Sequence, residues 1–264
     1  MNALPKTSTD KVIDFNGWSR QVIRGGLSEK KPRLNKDGSV SKVCPHKVAG
    51  VSTEVYAFKT EEEIKAMIDM FDSKIDNAPD ENKRWIAARN KMMFLIGINV
   101  GLRASDLVPL KWNFFYNEDG TFKDFYVLQP KKTKKAKKFV KIFFNQTVKK
   151  AVENYVTEYP IENFDDYLFK SRVGDGHITE KSLGRIVKDT AEEAGIPQNI
   201  CSHSLRKTWA YTIWHNAEDK SKALVMLQQC LAHSDSMTTM RYIGILDEEK
   251  KDMYESVEIG LDFI

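Results

Sequence analysis

The sequence Gly-Leu-Arg-Ala-Ser-Asp-Leu at residues 101–107 is the first of four short stretches that together predict one active site. The others are Lys-Lys-Thr-Lys-Lys at 131–135, His-Ser-Leu-Arg at 203–206, and Leu-Ala-His at 231–233 followed by Tyr242. Each stretch is a weak signal alone. Together they supply two guanidinium groups, a lysine in a basic turn, two imidazoles and a tyrosine hydroxyl, which suits covalent attack on a phosphodiester without a metal.

The order and spacing of these stretches resemble the tyrosine recombinase (phage integrase) family, whose members cut and rejoin DNA through a phosphotyrosine. The resemblance covers about residues 56–245. Tyr242 follows His233 by nine residues, a distance characteristic of the last motif of the family. Leu231-Ala232-His233 replaces the usual Leu-Gly-His, which is a mild departure unless the backbone at Ala232 needs a positive φ.

The resemblance implies a site-specific DNA recombinase or integrase that works through a 3′-phosphotyrosyl intermediate, without metal, ATP or other cofactor. It implies a mainly α fold with a small antiparallel β-sheet (α+β), like the tyrosine recombinase catalytic domain. Two alternatives stay open. One is DNA relaxation by a type IB topoisomerase-like enzyme, against which the small size of the chain and the Leu-Ala-His motif argue. The other is a catalytically idle DNA-binding protein that retains the fold.

By the resemblance, Arg103 and Arg206 hold the charge that develops on the non-bridging oxygens, because a guanidinium presents two parallel N–H groups and stays charged near pH 7. Asp106 matches a supporting position that braces Arg103 or a histidine. The residues alone also allow a surface salt bridge between Arg103 and Asp106, three positions apart.

Tyr242 is the expected nucleophile by the same resemblance. A phenol with a pKa near 10 is almost entirely protonated at pH 7, so its proton must be removed or its anion stabilised. His203 is the candidate base, and His233 is the second catalytic imidazole. We expect the nearby guanidinium groups to favour the anion.

The departing 5′-oxygen needs a proton, which the family takes from a lysine in a β-hairpin turn. Lys132 matches that position, with Lys134 and Lys131 as alternates, because six lysines crowd into residues 131–138. A solvated charge run remains an alternative for the cluster taken alone. The lysines that we expect to bind the DNA backbone are Lys131, Lys134, Lys135, Lys137 and Lys138.

Local patterns predict the elements that carry these residues. Thr60 with Glu63 forms a capping box, and Gly101 should end a helix that begins near Glu81. A short helix through Leu107 should carry Arg103. The remaining predictions are strands at 125–128 and 139–144 joined by the lysine loop, helices at 145–159, 179–194, 203–216 and 219–232, a short segment from 236 to Tyr242, and a last helix at 247–257.

Charge and breakers divide the chain into three parts. Residues 1–55 carry ten Lys or Arg and five Asp or Glu, and read as a basic, loosely ordered arm, too short for the core-binding domain that precedes most catalytic domains of the family. Residues 56–246 are the expected catalytic domain, and 247–264 a C-terminal helical tail. In the family such a tail docks into a neighbouring protomer; folding back on its own domain is equally compatible with the pattern.

The resemblance implies double-stranded DNA as the partner, and the basic arm and lysine cluster agree with it. The three cysteines form no paired framework, which fits a reducing compartment. No apolar run approaches the length of a membrane span, so we expect no membrane association. The expected location is the cytoplasm, associated with the nucleoid, or the host nucleus if the source is eukaryotic or viral. The resemblance also implies a homo-oligomer, a tetramer on paired sites; accessory DNA-binding proteins are further candidate partners.

Overall fold

The computed structural model describes residues 54–131, 139–245, 251 and 253–257, within one compact unit that begins at Glu54. Its helices are α1 (Glu61–Asp76), α2 (Glu81–Val100), α3 (Ala104–Leu107), α4 (Gln146–Glu158), α5 (Glu180–Glu193), α6 (Ser202–Asn216), α7 (Lys220–Leu231) and α8 (Ser236–Ile243), and its strands are β1 (Phe125–Leu128) and β2 (Val140–Phe143). The predicted α+β class, mainly α with one small antiparallel sheet, is confirmed.

Local capping fixes the start of α1 and the end of α2 as predicted. The Thr60 hydroxyl accepts a hydrogen bond from the Glu63 amide, and the Glu63 carboxylate accepts one from the Thr60 amide. The Asp80 side chain caps α2, which ends at Gly101 in the left-handed region with a φ of 62°. Arg103 lies one position before α3, rather than within it, so its side chain leaves the chain at the turn between two helices.

Two hydrophobic clusters hold the unit together. The larger one is rich in aromatic side chains and packs α2 against α1, α4 and α6. Gly97 allows the close approach of α2 to α6, because a Cβ there would lie 2.7 Å from Leu205 Cδ1. The smaller cluster joins the far end of α6 to α7 and α8, and includes Leu227, Leu231 and Ile243. Residues that bear the candidate site therefore lie where the two clusters meet.

The sheet is a two-stranded hairpin with one face turned outward. Phe125 pairs with Phe143, and Val127 pairs with Lys141. All four of these side chains lie on the exposed face, since alternate residues of a strand share a face. The predicted strands are confirmed, apart from shorter ends on the second, while most of the lysine loop that joins them lies outside the described residues.

The C-terminal tail is described only at Lys251, which is helical, and at 253–257, where Met253, Tyr254 and Val257 are exposed. Residues 1–53, predicted as part of the basic arm, lie outside the described residues. Within the described ranges, no helix is long and apolar enough to cross a membrane.

Candidate active site

Arg206 is the most firmly held of the predicted site residues. It lies on the buried side of α6, and its guanidinium donates to the carbonyl of Gly101 through Nη1 and to the carbonyl of Cys230 through Nη2, the latter at 3.3 Å. Burial lowers the pKa of Arg206, and the nearby Tyr242 opposes that effect. The ordinary pKa of an arginine is so far above 7 that the group stays cationic. A fixed positive charge therefore lies inside the domain.

Arg103 reaches the same place from the turn after α2. Its Nη2 donates to the carbonyl of Leu231, at the end of α7, over 3.1 Å. The turn is tight because Gly101 packs against the ring of Trp209, where a Cβ would lie 2.2 Å from Cδ2. Glycine at this position therefore serves both the left-handed backbone and the contact with α6. The two predicted arginines are thus brought together from distant parts of the chain.

Tyr242 projects from α8, whose start is capped by the Asp235 side chain. Burial raises the pKa of Tyr242, whereas the charges of Arg206 and Arg103 and a hydrogen bond with Arg206 lower it. The guanidinium groups therefore favour the anion, as expected, although the net direction of the pKa shift is upward. Desolvation of the phenolate outweighs the attraction of two cations.

His233 lies beside Tyr242, with 5.1 Å between the ring centroids in an edge-on arrangement. Its Nδ1 is 3.1 Å from the hydroxyl of the buried Thr239. Burial and the charges of both arginines lower the pKa of His233, which favours the neutral imidazole at pH 7. Ala232 precedes it with a φ of 57°, so the backbone does need the left-handed conformation that the family usually provides with glycine.

His203 lies at the start of α6, exposed, on the side of Arg206 and Lys207. A hydrogen bond with the Cys201 side chain raises the pKa of His203, while burial and the two neighbouring cations oppose the rise. The net direction is upward, opposite to that of His233.

Asp106 is 5% exposed and supports the hairpin, since its Oδ1 accepts a 2.9 Å hydrogen bond from the amide of Lys131. Sequence reasoning placed this carboxylate on Arg103 or a histidine, whereas in the structure it fixes the backbone where the lysine loop begins. Lys131 is exposed. The other predicted lysines lie outside the described residues: Lys132, Lys134, Lys135, Lys137 and Lys138.

Four of the predicted site residues, Arg103, Asp106, Arg206 and His233, line a cleft of about 910 Å³. Arg103, Arg206 and His233 line its helical side, and residues 139–143 line its hairpin side. Tyr242 reaches the same site through its contacts with Arg206 and His233. Two fixed guanidinium groups beside a phenol can hold a phosphodiester next to a nucleophilic oxygen, because planar N–H pairs match phosphate oxygens.

The sequence profile described as "Phage integrase family" matches residues 58–249. The chain belongs to this family. Probable integrase/recombinase YoeC of Bacillus subtilis (strain 168) is 33% identical over 178 residues, covering 66% of this chain and 90% of that protein. Tyrosine recombinase XerD of Oceanobacillus iheyensis is 29% identical over 176 residues, covering 65% of this chain and 55% of that protein.

Solved structures with the same fold include XerA recombinase, with a TM-score of 0.55, 21% identity, and coverage of 80% of this chain and 66% of that chain. The XerH site-specific recombinase, in a post-cleavage complex with its palindromic difH substrate, gives a TM-score of 0.54 at 18% identity. That match covers 84% of this chain and 59% of that chain. At these identities the likeness concerns the fold.

Together these similarities confirm the predicted family and fold class, and they support a recombinase that cleaves and rejoins DNA. They do not favour the topoisomerase-like or the idle DNA-binding alternative. The chain spans about half the length of the XerD proteins that it matches, namely 55% of the Oceanobacillus iheyensis protein and 54% of the Listeria innocua protein.

Two residues of this phage integrase site were missed by the sequence analysis. Lys207 is 8% exposed and lies with Nζ 5.5 Å from the Tyr242 ring centroid, and Trp209 packs on Gly101. A lysine among the buried positions of α6 is a signal that helical periodicity could have found. The contact between Trp209 and Gly101 left no such signal, because the two residues are far apart in the sequence.

Proposed function

We propose that this chain cleaves one DNA strand by attack of the Tyr242 Oη on a phosphodiester, and that it rejoins DNA by the reverse step. In cleavage the new bond joins Oη to phosphorus, and the bond from phosphorus to the 5′-oxygen breaks. The product is a 3′-phosphotyrosyl enzyme and a free 5′-hydroxyl. The observation that carries this proposal is the meeting of Arg103, Arg206, His233 and Tyr242 beside one cleft.

The two arginines are proposed to stabilise the pentacovalent transition state. Charge accumulates on two non-bridging oxygens as the phenolic oxygen attacks, and donors fixed in advance lower the barrier without reorganising. Arg206 is fixed by two backbone carbonyls and Arg103 by one. Both guanidinium groups retain N–H donors beyond those bonds, since each carries five.

We propose that one of two imidazoles, that of His203 or His233, removes the proton of Tyr242. His203 is the base expected from the sequence, yet its raised pKa favours the form that has no free lone pair. His233 has a lowered pKa and contacts the nucleophile ring. We therefore assign proton removal to His233, and donation to a phosphate oxygen to His203.

Lys132 is proposed as the acid that protonates the leaving 5′-oxygen, in accord with its place in the lysine cluster. Asp106 supports this role indirectly, because it fixes the amide of Lys131 at the start of that loop. The remaining cluster lysines are proposed to bind DNA phosphates, which makes affinity sensitive to salt.

A nicked suicide DNA duplex tests the proposal directly. In such a substrate the segment beyond the scissile bond is short and diffuses away, so the covalent intermediate accumulates. A denaturing gel should then show a protein–DNA adduct with the unmodified chain. Absence of an adduct on duplexes that the chain binds would refute strand cleavage and leave a DNA-binding protein.

Double-stranded DNA is the proposed partner, and a homotetramer on paired sites is the proposed assembly. Accessory DNA-binding proteins are further proposed partners, and the nucleoid is the proposed location.

Exposed Met253 and Val257 belong to a C-terminal tail that either docks on a neighbouring protomer or folds back on its own domain. Deleting residues 247–264 distinguishes these, because only docking on a neighbour predicts a smaller complex. Light scattering of complexes on paired sites measures that size.

A further inference from the structure

The residues just before α1, Glu54–Lys59 (the pre-α1 segment), are bonded to the middle of α6. The Val55 carbonyl accepts a hydrogen bond of 2.6 Å from Lys207 Nζ. Three residues later, the Phe58 amide donates to the Thr208 hydroxyl over 2.8 Å. Both α6 partners directly follow the arginine that is central to the site.

The same segment is also bonded to the helix of the nucleophile. Lys59 Nζ donates to the carbonyl of Gly244 over 3.1 Å, two residues beyond Tyr242. Gly244 ends α8 with a φ of 77°, so this hydrogen bond lies at the point where the helix stops. The pre-α1 segment therefore connects α6 and α8 on one side of the active site.

Apolar contacts reinforce this connection. Phe58 is 1% exposed and belongs to the larger hydrophobic cluster, where its ring meets Phe94 edge-on at 5.6 Å between centroids. Its neighbour Ala57 belongs to the smaller cluster together with Ile243 of α8. Two successive residues thus insert into the two clusters, and moving the segment would disturb both.

Lys207 is the residue through which this segment meets the nucleophile. Its ammonium group lies 3.7 Å from a Glu54 carboxylate oxygen as well as bonding to Val55, and 5.5 Å from the Tyr242 ring centroid. A buried ammonium must keep such partners, because an unpaired charge in the interior is strongly destabilising. The partners of Lys207 therefore fix one side of the pocket that holds the tyrosine ring.

We propose that Lys207 is a positioning residue that links the pre-α1 segment to Tyr242, so that placement of the nucleophile depends on the chain that leads into the domain. The inference rests on the proposed function, because it concerns the same tyrosine. Lys207 acts through the tyrosine ring and the segment, and contacts no reacting atom in this account.

Three variants of the full chain test this role. Lys207→Met keeps the length of the side chain and removes its charge and donors, and Lys207→Arg restores both. Lys220→Met is the matched control, since Lys220 also donates to a backbone carbonyl, that of Trp214 at 2.9 Å, and lies 4.7 Å from a ring centroid. That contact is at the other end of α6, away from the site.

The first measurement is hydrogen–deuterium exchange of α8 in the free protein, which needs no catalysis. We expect faster exchange over 240–245 in Lys207→Met, and wild-type exchange in Lys207→Arg and Lys220→Met. The second is the rate of adduct formation at saturating DNA, set against the Kd for the same duplex. Lys207→Met should slow cleavage roughly 10-fold to 100-fold, the scale of a displacement near 1 Å, with Kd unchanged.

Wild-type exchange of α8 in Lys207→Met would overturn the inference, as would an equal loss in Lys220→Met or no rescue in Lys207→Arg. These outcomes are separable from failure of the proposed function. If the wild-type chain forms no adduct, the proposed function fails, whereas the exchange experiment still decides whether Lys207 positions Tyr242.

Discussion

The helical side of the cleft and the hairpin side hold their charged groups in opposite ways. On the helical side, Arg206 is 8% exposed and bonded to two carbonyls that belong to other elements. On the hairpin side, Lys141 lies across the rings of Phe125 and Phe143 on the exposed face, where Phe143 is 66% exposed. This difference fits the proposed roles, in which groups that hold transition-state charge are fixed in advance and groups that bind DNA phosphates keep their side chains at the surface.

Because of this contrast, we expect the two sides to respond differently to substitution. Loss of a group on the helical side should reduce the rate of cleavage and leave DNA affinity nearly unchanged. Loss of the proposed general acid, Lys132, should be offset by a substrate whose leaving group needs no proton.

The largest effect on the helical side should come from Tyr242→Phe. Phenylalanine keeps the ring packing and removes only the attacking oxygen, so the covalent adduct should be abolished with DNA binding within a few-fold of wild type. A suicide-duplex gel and a binding titration measure the two quantities. Tyr211→Phe is the control, because Tyr211 is buried in the smaller cluster, and it should still form the adduct. An adduct with Tyr242→Phe would assign the nucleophile elsewhere.

In the lysine cluster, Lys132→Ala should slow cleavage of a normal phosphodiester by roughly 10²–10⁴, the range for loss of a general acid. A substrate with sulfur at the 5′-bridging position should be cleaved at nearly the wild-type rate, because a thiolate leaves without a proton. Single-turnover rates on the two duplexes give the ratio.

Substitutions of the two alternate lysines, Lys134 and Lys131, test which lysine is the general acid. If Lys134→Ala or Lys131→Ala shows the sulfur rescue and Lys132→Ala does not, the acid is the other lysine. If no variant shows it, the cluster binds DNA backbone only, and the contrast between the two sides becomes one between catalysis and binding.

Arg206→Lys and Arg103→Lys should each slow cleavage by roughly 10²–10³, the scale of losing one fixed donor to a developing oxyanion. Charge is retained in both, but the planar pair of N–H groups is lost. We expect the larger effect at Arg206, because its planar guanidinium is held by two carbonyl partners, on Gly101 and Cys230, whereas that of Arg103 is held by one. Near-wild-type cleavage by either variant would reduce that arginine to a structural role.

Substitutions of the two imidazoles should have different effects on the cleavage rate at pH 7. His233→Ala should slow cleavage by about 10², the lower end for loss of a general base, and His203→Ala should have the smaller effect. The reason is the opposite direction of their pKa shifts, which leaves His233 more fully neutral. Pre-steady-state cleavage rates of the two variants make the comparison, and a reversed order would return the role of base to His203.

Much of the fold could be predicted because its signals are local. The ends of α2 follow from Asp80 and Gly101, and the capping box of α1 follows from Thr60 and Glu63. These helix ends depend on residues that are neighbours in the sequence. The arginines that the structure brings together were indicated by the resemblance to the tyrosine recombinase family, which short motifs carry.

The remainder depends on contacts between distant residues. Nothing near Lys207 in the sequence indicates that its partner is the carbonyl of Val55, and nothing near Asp106 indicates the Lys131 amide. A sequence pattern cannot indicate such partners, because backbone carbonyls and amides are common to the whole chain. The direction of the Tyr242 pKa shift could not be predicted either, because it depends on how deeply α8 is buried.

The smallest expected effect concerns the backbone that presents His233 on the helical side. Ala232 has a φ of 57°, a conformation that costs an L-residue roughly 1–2 kcal/mol. Glycine avoids that cost, but its more flexible unfolded state lowers the free energy of unfolding by roughly 0.4–1 kcal/mol. Ala232→Gly should therefore raise the free energy of unfolding by about 0.5–1 kcal/mol. Ala66→Gly, in the middle of α1 with a right-handed backbone, is the control and should lower it by about 1 kcal/mol. Urea titrations of the two variants measure both changes. Destabilisation by Ala232→Gly would mean that alanine at this position contributes contacts that outweigh its strain, and that the helical side is fixed by packing as well as by hydrogen bonds.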